Sequence, residues 1–148
     1  VINANRNPWS DLYWPPELAP PSPASTVKSL GLMVDSNLSM AMQVSSVCHS
    51  CIITLRRLRR LAPLISKATL HSAVLATVIS RLDYGNALYA GISNQLIHRL
   101  QTVQNDAARL IFQVPRHTRA SSLLWELHWL PMVQRVAFKV ICLVHKLK

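Results

Sequence analysis

The segment "TVKSLGLMVDSNLSMAMQVSSVCHSCIITLRRLRRLAP", Thr26 to Pro63, changes its hydrophobic period partway along, and that change sets the fold class. Leu30, Leu32 and Val34 alternate through Thr26–Asp35, the period-2 pattern of a half-buried strand. Gly31 interrupts the alternation, which predicts a bulge or a close approach by another backbone. Asp35, Ser36 and Asn37 supply a turn. Beyond it the period becomes 3.6: Val44, Val47, Cys48, Cys51, Ile52, Leu55 and Leu58 form one apolar helical stripe, which Pro63 ends.

Outward from this segment the helical period persists. Ser66 is placed to cap a second helix, with a stripe through Leu70, Ala73, Val74, Thr77, Val78 and Leu82 before Gly85. Ser93 or Asn94 opens a third, which turns Leu96, Ile97, Leu100, Val103, Ala107, Leu110 and Ile111 inward as far as Pro115. "SSLLWELHWL", Ser121 to Leu130, reads as a short helix. Pro131 then fits the first turn of a last one carrying Val133, Val136, Ala137, Val140, Ile141 and Val144. The expected fold class is mainly α: a short β-strand or hairpin near the N-terminus, followed by a bundle of four or five helices. Upstream, "WPPELAPPSP" makes residues 1–26 an extended, proline-rich lead-in, with Trp9 and Trp14 available to pin it to the body. There is no internal repeat.

The chain has 148 residues, the size of one domain, and half of them are apolar, which excludes disorder over its full length. Sixteen Lys and Arg against six Asp and Glu give a net charge of +10. That imbalance favours a polyanionic partner, nucleic acid ahead of an acidic membrane surface. Three cysteines do not make a disulfide framework, and no apolar run reaches the roughly 18 residues of a membrane span. The expectation is an intracellular protein, nuclear or cytoplasmic, without a signal peptide or a transmembrane segment. Val1 stands where an initiator Met would, and on that ground a fragment or a trimmed product is expected.

Few residues offer catalytic chemistry. Two-metal phosphoryl transfer needs converging carboxylates. Asp83, in "SRLDYGNALYAG", has no acidic neighbour, so it is expected to pair with Arg81 or another cation near a helix end. Cys48 and Cys51 form a "CHSC" knuckle with no second ligand pair and lie on the apolar stripe, so they read as core cysteines. Nothing completes a metal site around Cys142 and His145. Glu126 and His128, two apart, point to different helix faces. No catalytic and no metal-binding residues are therefore assigned. The strongest feature is "RRLRR". Arg56, Arg57, Arg59 and Arg60 span about 160° of a helix face, which suits four phosphate contacts. Their alternative role is to complement the helix dipole.

Four blocks then occur in order: "VKSLGLMVDSNLSM", "SRLDYGNALYAGI", "LQTVQNDAARLIF" and "LHWLPMVQRVAFKV". Together they resemble the C-terminal part of the reverse transcriptase of non-LTR retrotransposons, LINE elements of the jockey-like kind. The resemblance covers nearly the whole chain and is firmest from Val27 to Lys139. It implies that Lys28–Asp35 is similar to the primer-grip hairpin that follows the catalytic palm and holds the 3′ end of the priming strand. Leu30 and Gly31 match its Leu-Gly pair, and Asp35 its closing acidic residue. The later helices resemble the thumb, which cradles the template–primer duplex. The implied division is a lead-in over 1–26, a primer-grip-like strand and turn over 27–37, and a thumb-like helical region over 38–148.

The chain also departs from that family. No "YADD" or "FADD" box is present and the endonuclease is absent, so the family's Mg belongs to a missing palm and no cofactor is expected here. Gly85 stands where the family usually has cysteine, and as a helix-interior glycine it would cost about 1 kcal/mol. Asp106 stands where a small residue is usual. Such drift is what a decayed or truncated copy shows. The resemblance thus implies a fragment of an RNA-directed DNA polymerase, inactive alone, with an RNA–DNA or DNA duplex backbone and the missing palm as its partners. The alternatives are a small basic helical protein-interaction module and a non-functional genomic relic. Without a palm to pack on, the helical body is expected to expose an apolar face.

Overall fold

The computed structural model describes residues 25–147. The lead-in over 1–26, with Trp9 and Trp14, lies almost wholly outside the described residues.

Strand β1 (Thr26–Ser29) pairs antiparallel with β2 (Leu32–Asp35), Ser29 opposite Leu32. A two-residue turn joins them, with Leu30 at φ 48° and Gly31 at φ 82°. Positive φ at both central residues is the turn whose twist matches the strands it connects. The expected bulge at Gly31 is therefore corrected. The glycine turns the chain between two strands, and the alternation read as one strand belongs to a hairpin. Asp35 closes β2 by accepting hydrogen bonds from the backbone N–H of Asn37 (3.1 Å) and Ser39 (2.9 Å) and from the Ser39 hydroxyl (2.8 Å).

Helix α1 (Ala41–Leu61) follows and buries Val44, Cys48, Cys51 and Leu55, the core of the expected stripe. Ile52 is 39% exposed, at the edge of that stripe. A short 3₁₀ turn, Ala62–Leu64, ends the helix at Pro63. Helix α2 (Lys67–Val74) starts at Ser66, whose hydroxyl accepts from the N–H of Thr69 at 3.1 Å, the expected cap. A π-turn, Leu75–Ile79, carries α2 into α3 (Ser80–Asp83), so one helical rod has a wide turn at its centre. Val78, Ile79 and Leu82 are buried beyond that turn. A 3₁₀ turn at Asn86–Tyr89 leads to α4 (Asn94–Phe112), then α5 (Ala120–Glu126) and α6 (Met132–Lys146).

Gly85 lies outside any helix, at φ 65°, and a Cβ there would come 2.8 Å from Leu32 Cδ1. The expected helix-interior penalty is corrected: this glycine lets the hairpin's one buried leucine seat against the end of the rod.

The core runs between α1, the α2–α3 rod and α4, with Leu70, Val74, Leu82, Leu100 and Ala107 fully enclosed. Of the three polar side chains buried with it, Gln43, Asn86 and Gln104, two act as fasteners between elements. Gln43 Oε1 accepts from Met33 N–H at 2.9 Å and ties β2 to α1. Gln104 Nε2 donates to the Leu130 carbonyl at 2.9 Å and ties α4 to the start of α6. Leaving either backbone group unpaired in the interior would cost about 1–3 kcal/mol. The apolar stripe read along the last helix lies mostly on the surface. Only Met132 and Val136 of α6 are buried, while Val133, Ile141 and Val144 are more than half exposed.

Candidate nucleic-acid interface

Helix α1 carries no acidic residue, and its exposed side presents two rows of side chains. At 100° per residue, Ser46, Ser50 and Arg57 fall on one row, and Ser45, His49 and Arg56 on the next. Arg59 and Arg60 flank them near the C-terminal end, and all four arginines of "RRLRR" are exposed. Of the four, Arg59 and Arg60 lie in the last turn, where cations complement the helix dipole.

Two further arginines reach this side from other elements. Arg81, at the end of the rod, donates to the hydroxyls of Ser50 and Thr54. Arg99, from α4, donates to Ser45 Oγ at 3.1 Å. Among the described residues the ion pairs are Arg109 and Arg116 with Asp106, and Arg135 with Asp83. None of Arg56, Arg57, Arg59, Arg60, Arg81 and Arg99 has a carboxylate partner among the described residues. An unneutralised guanidinium held by one or two hydroxyls keeps most of its five donors for a ligand.

The hairpin stands at the other end of this ridge. Its tip is fixed by Tyr84, whose hydroxyl donates to the Leu30 carbonyl at 2.6 Å and whose ring lies 3.9 Å from the Cβ position of Gly31. A cleft of about 500 Å³ opens between hairpin and ridge, lined by Lys28, Gly31, Ser46, Ser50, Arg81 and Tyr84. From Ser46 on its floor to Arg57 and Arg60 is about 16 and 21 Å along the axis at roughly 1.5 Å per residue. That is about five or six phosphate steps of one strand at roughly 3.4 Å each. The cleft and the arginine cluster therefore form one continuous basic face, which the sequence presented as two separate features.

Of the expected site residues, Leu30 and Gly31 lie at the hairpin tip. Leu30 is 87% exposed and free to touch a ligand. Asp35 sits at the opposite end of the hairpin, where its hydrogen bonds secure the connection into α1. Those bonds, first from the N–H of Ser39 and then from its hydroxyl, hold the Asp35 carboxyl below its ordinary range. Asp83 does pair with a cation near a helix end, but the partner is Arg135 of α6 rather than Arg81. Asp106 holds Arg109 at 3.2 Å and Arg116 at 3.6 Å.

Cys48 and Cys51 are buried core residues. Burial pushes the Cys51 thiol up to about 11 against a small opposing pull from Arg81, and burial likewise raises Cys48. Among the described residues no group of three or more His, Cys, Asp or Glu side chains converges. No described helix is long and apolar enough to cross a membrane. Sequence reasoning missed Lys28, Arg81, Arg99 and the Tyr84 clamp. The one available signal was the polarity of Tyr84 beside Gly85 at a helix end.

Compared with known protein families, curated proteins and solved structures, the chain matches none.

Proposed function

We propose that this chain is the primer-grip and thumb portion of a non-LTR retrotransposon reverse transcriptase, holding a template–primer duplex by its phosphates along the exposed side of α1. Catalysis would be supplied by a palm that these residues do not include. The observation that carries the proposal is the ridge of six arginines without carboxylate partners, continuous with a cleft under the hairpin tip. The four sequence blocks supply the family. On this reading Leu30 and Gly31 meet the priming strand, while Arg81 and Lys28 take the phosphates nearest the cleft. Arg56, Arg57, Arg59 and Arg60 take those further along. Asp35 positions the hairpin and touches no ligand.

Affinity for a short RNA–DNA hybrid, followed by fluorescence anisotropy across a salt series, tests this. Six phosphate contacts predict a log–log slope of about −5.4, a loss of roughly 1,000-fold between about 50 and 200 mM salt. Replacing Arg56, Arg57, Arg59 and Arg60 by Gln flattens the slope by about 3.6. A flat salt response in the wild type, or an unchanged slope in the variant, refutes the α1 interface.

A second reading, a helical protein-interaction module, is favoured by one observation: the exposed apolar side of α6, with Phe138 at 59% and Ile141 at 66%. Light scattering separates the two. A tight oligomer that ignores nucleic acid supports the module.

A further inference from the structure

We propose that the cavity between α4, α5 and the start of α6 binds an unpaired nucleotide, with its base stacked on Trp125 and its phosphate on Arg119. The proposal goes beyond the duplex interface and stands on different residues.

The cavity has a volume of about 980 Å³, at the top of the roughly 300–1,000 Å³ range of small-molecule sites. Its chemistry is uneven in an informative way. Trp125 lines it with an indole that is 84% exposed, an unusual position for the largest apolar side chain. Trp129 forms a firm inner wall, only 7% exposed and stacked on His71 with ring centroids 6.3 Å apart. Amides supply the polar groups. Gln101 is fully engaged, donating to Gln104 and Asn105 at 2.9 Å each and accepting from Met132 N–H at 2.8 Å. Asn105 is thereby held in place by its carbonyl oxygen, leaving its amino group to donate elsewhere, and Gln134 lines the cavity exposed.

Charge then narrows the choice of ligand. No Asp or Glu lines the cavity, while Arg109 and Arg119 do. Arg109 is committed to Asp106 and to the Thr118 carbonyl. Arg119 is exposed and has no carboxylate partner among the described residues. A free aromatic face, amides able to meet a base edge and one uncommitted guanidinium together match a nucleobase carrying a phosphate. A paired base would offer neither its face nor its Watson–Crick edge, so the occupant is single-stranded. A metal ion finds no ligands here, and a cationic ligand would be repelled.

The test uses the full chain and a 5′-phosphorylated oligodeoxythymidylate about eight nucleotides long, with indole fluorescence and anisotropy as readouts. A chain of net charge +10 binds any oligonucleotide to some extent, so the decisive quantity is dependence on Trp125. Trp125→Ala, at an exposed position, is expected to weaken single-strand affinity about tenfold while leaving duplex affinity unchanged. Trp125→Phe is expected to retain most of it. Arg119→Gln is expected to flatten the single-strand salt slope by about 0.7. Equal single-strand affinity in the wild type and Trp125→Ala overturns the proposal, and so does an equal loss on duplex and single strand. Quenching of the indole by an aromatic dipeptide but not by the oligonucleotide would make the occupant a peptide side chain, and the nucleotide assignment falls. A salt-insensitive duplex affinity would refute the α1 interface and leave this cavity standing.

Discussion

Along α4 the residues Leu100, Val103, Ala107, Leu110 and Ile111 are buried to within a few per cent of complete enclosure, whereas along α6 Val133, Ile141 and Val144 stand 61%, 66% and 54% exposed. The two helices are comparably periodic in sequence. Their neighbours differ. Helix α4 lies against α1, α2, α5 and α6, while α6 meets chiefly the Asn86–Tyr89 turn and one flank of α4. Hydrophobic period fixes which side of a helix is apolar, and topology decides whether anything covers that side. The uncovered side of α6 is the kind of patch that marks an interaction surface.

Core truncation tests the contrast most strongly. Leu100→Ala should cost about 3–5 kcal/mol in urea unfolding, because it opens a void in an enclosed site. Ile141→Ala should change stability by no more than about 0.5 kcal/mol. Comparable losses at the two positions would mean that α6 is covered after all.

A middle-sized effect should come from the attachment of α6. Arg135 joins α6 to Asp83 at the end of the rod, with the arginine 18% and the aspartate 39% exposed. Arg135→Gln should cost about 1 kcal/mol, the charged-bond value discounted for solvent at Asp83. Its signature should be local: amide exchange should quicken within Met132–Lys146 and stay slow in α4. Uniform acceleration across both helices would show that α6 does not open independently.

The last comparison concerns the thiols. Cys48 and Cys51 are enclosed in α1, while Cys142 lies half-buried on α6. Iodoacetamide should modify Cys142 in the native chain and reach the other two only on unfolding. The folded Cys51 value of about 11 lies above its ordinary 9.0. Its neutral form therefore supports the fold fully below about pH 9, and that support is lost as pH rises towards 11. A stability profile that is flat from pH 9 to 11 would contradict this.

Much of this architecture was legible because punctuation and period agreed. Pro63, Ser66 and Pro131 mark real helix boundaries, and the change of period near Asp35 separates hairpin from helices. What stayed hidden depended on contacts between segments distant in sequence. Gln43 and Gln104 read as ordinary polar residues until the backbone groups they satisfy were in place. Gly31 looked like a flaw in one strand because a two-residue turn leaves the alternation almost intact. The partner of Asp83 lay 52 residues away, beyond any local pattern. The "RRLRR" cluster was visible at once, but Arg81 and Arg99, which extend it toward the hairpin, reach the ridge from other helices.

The π-turn at Leu75–Ile79 has a consequence for orientation. On a continuous α-helical wheel, Leu70 and Val74 would share their direction with residue 81, and an arginine would point into the core. The wide turn takes up one additional residue, so every side chain after it is rotated by about 100° from that wheel. Leu82 arrives in the interior and Arg81 swings out beside Ser50. The turn thus acts as a phase shifter within a single rod, giving its first half and its last half different azimuths. The basic lining of the cleft and the seat of the hairpin are both set by that offset.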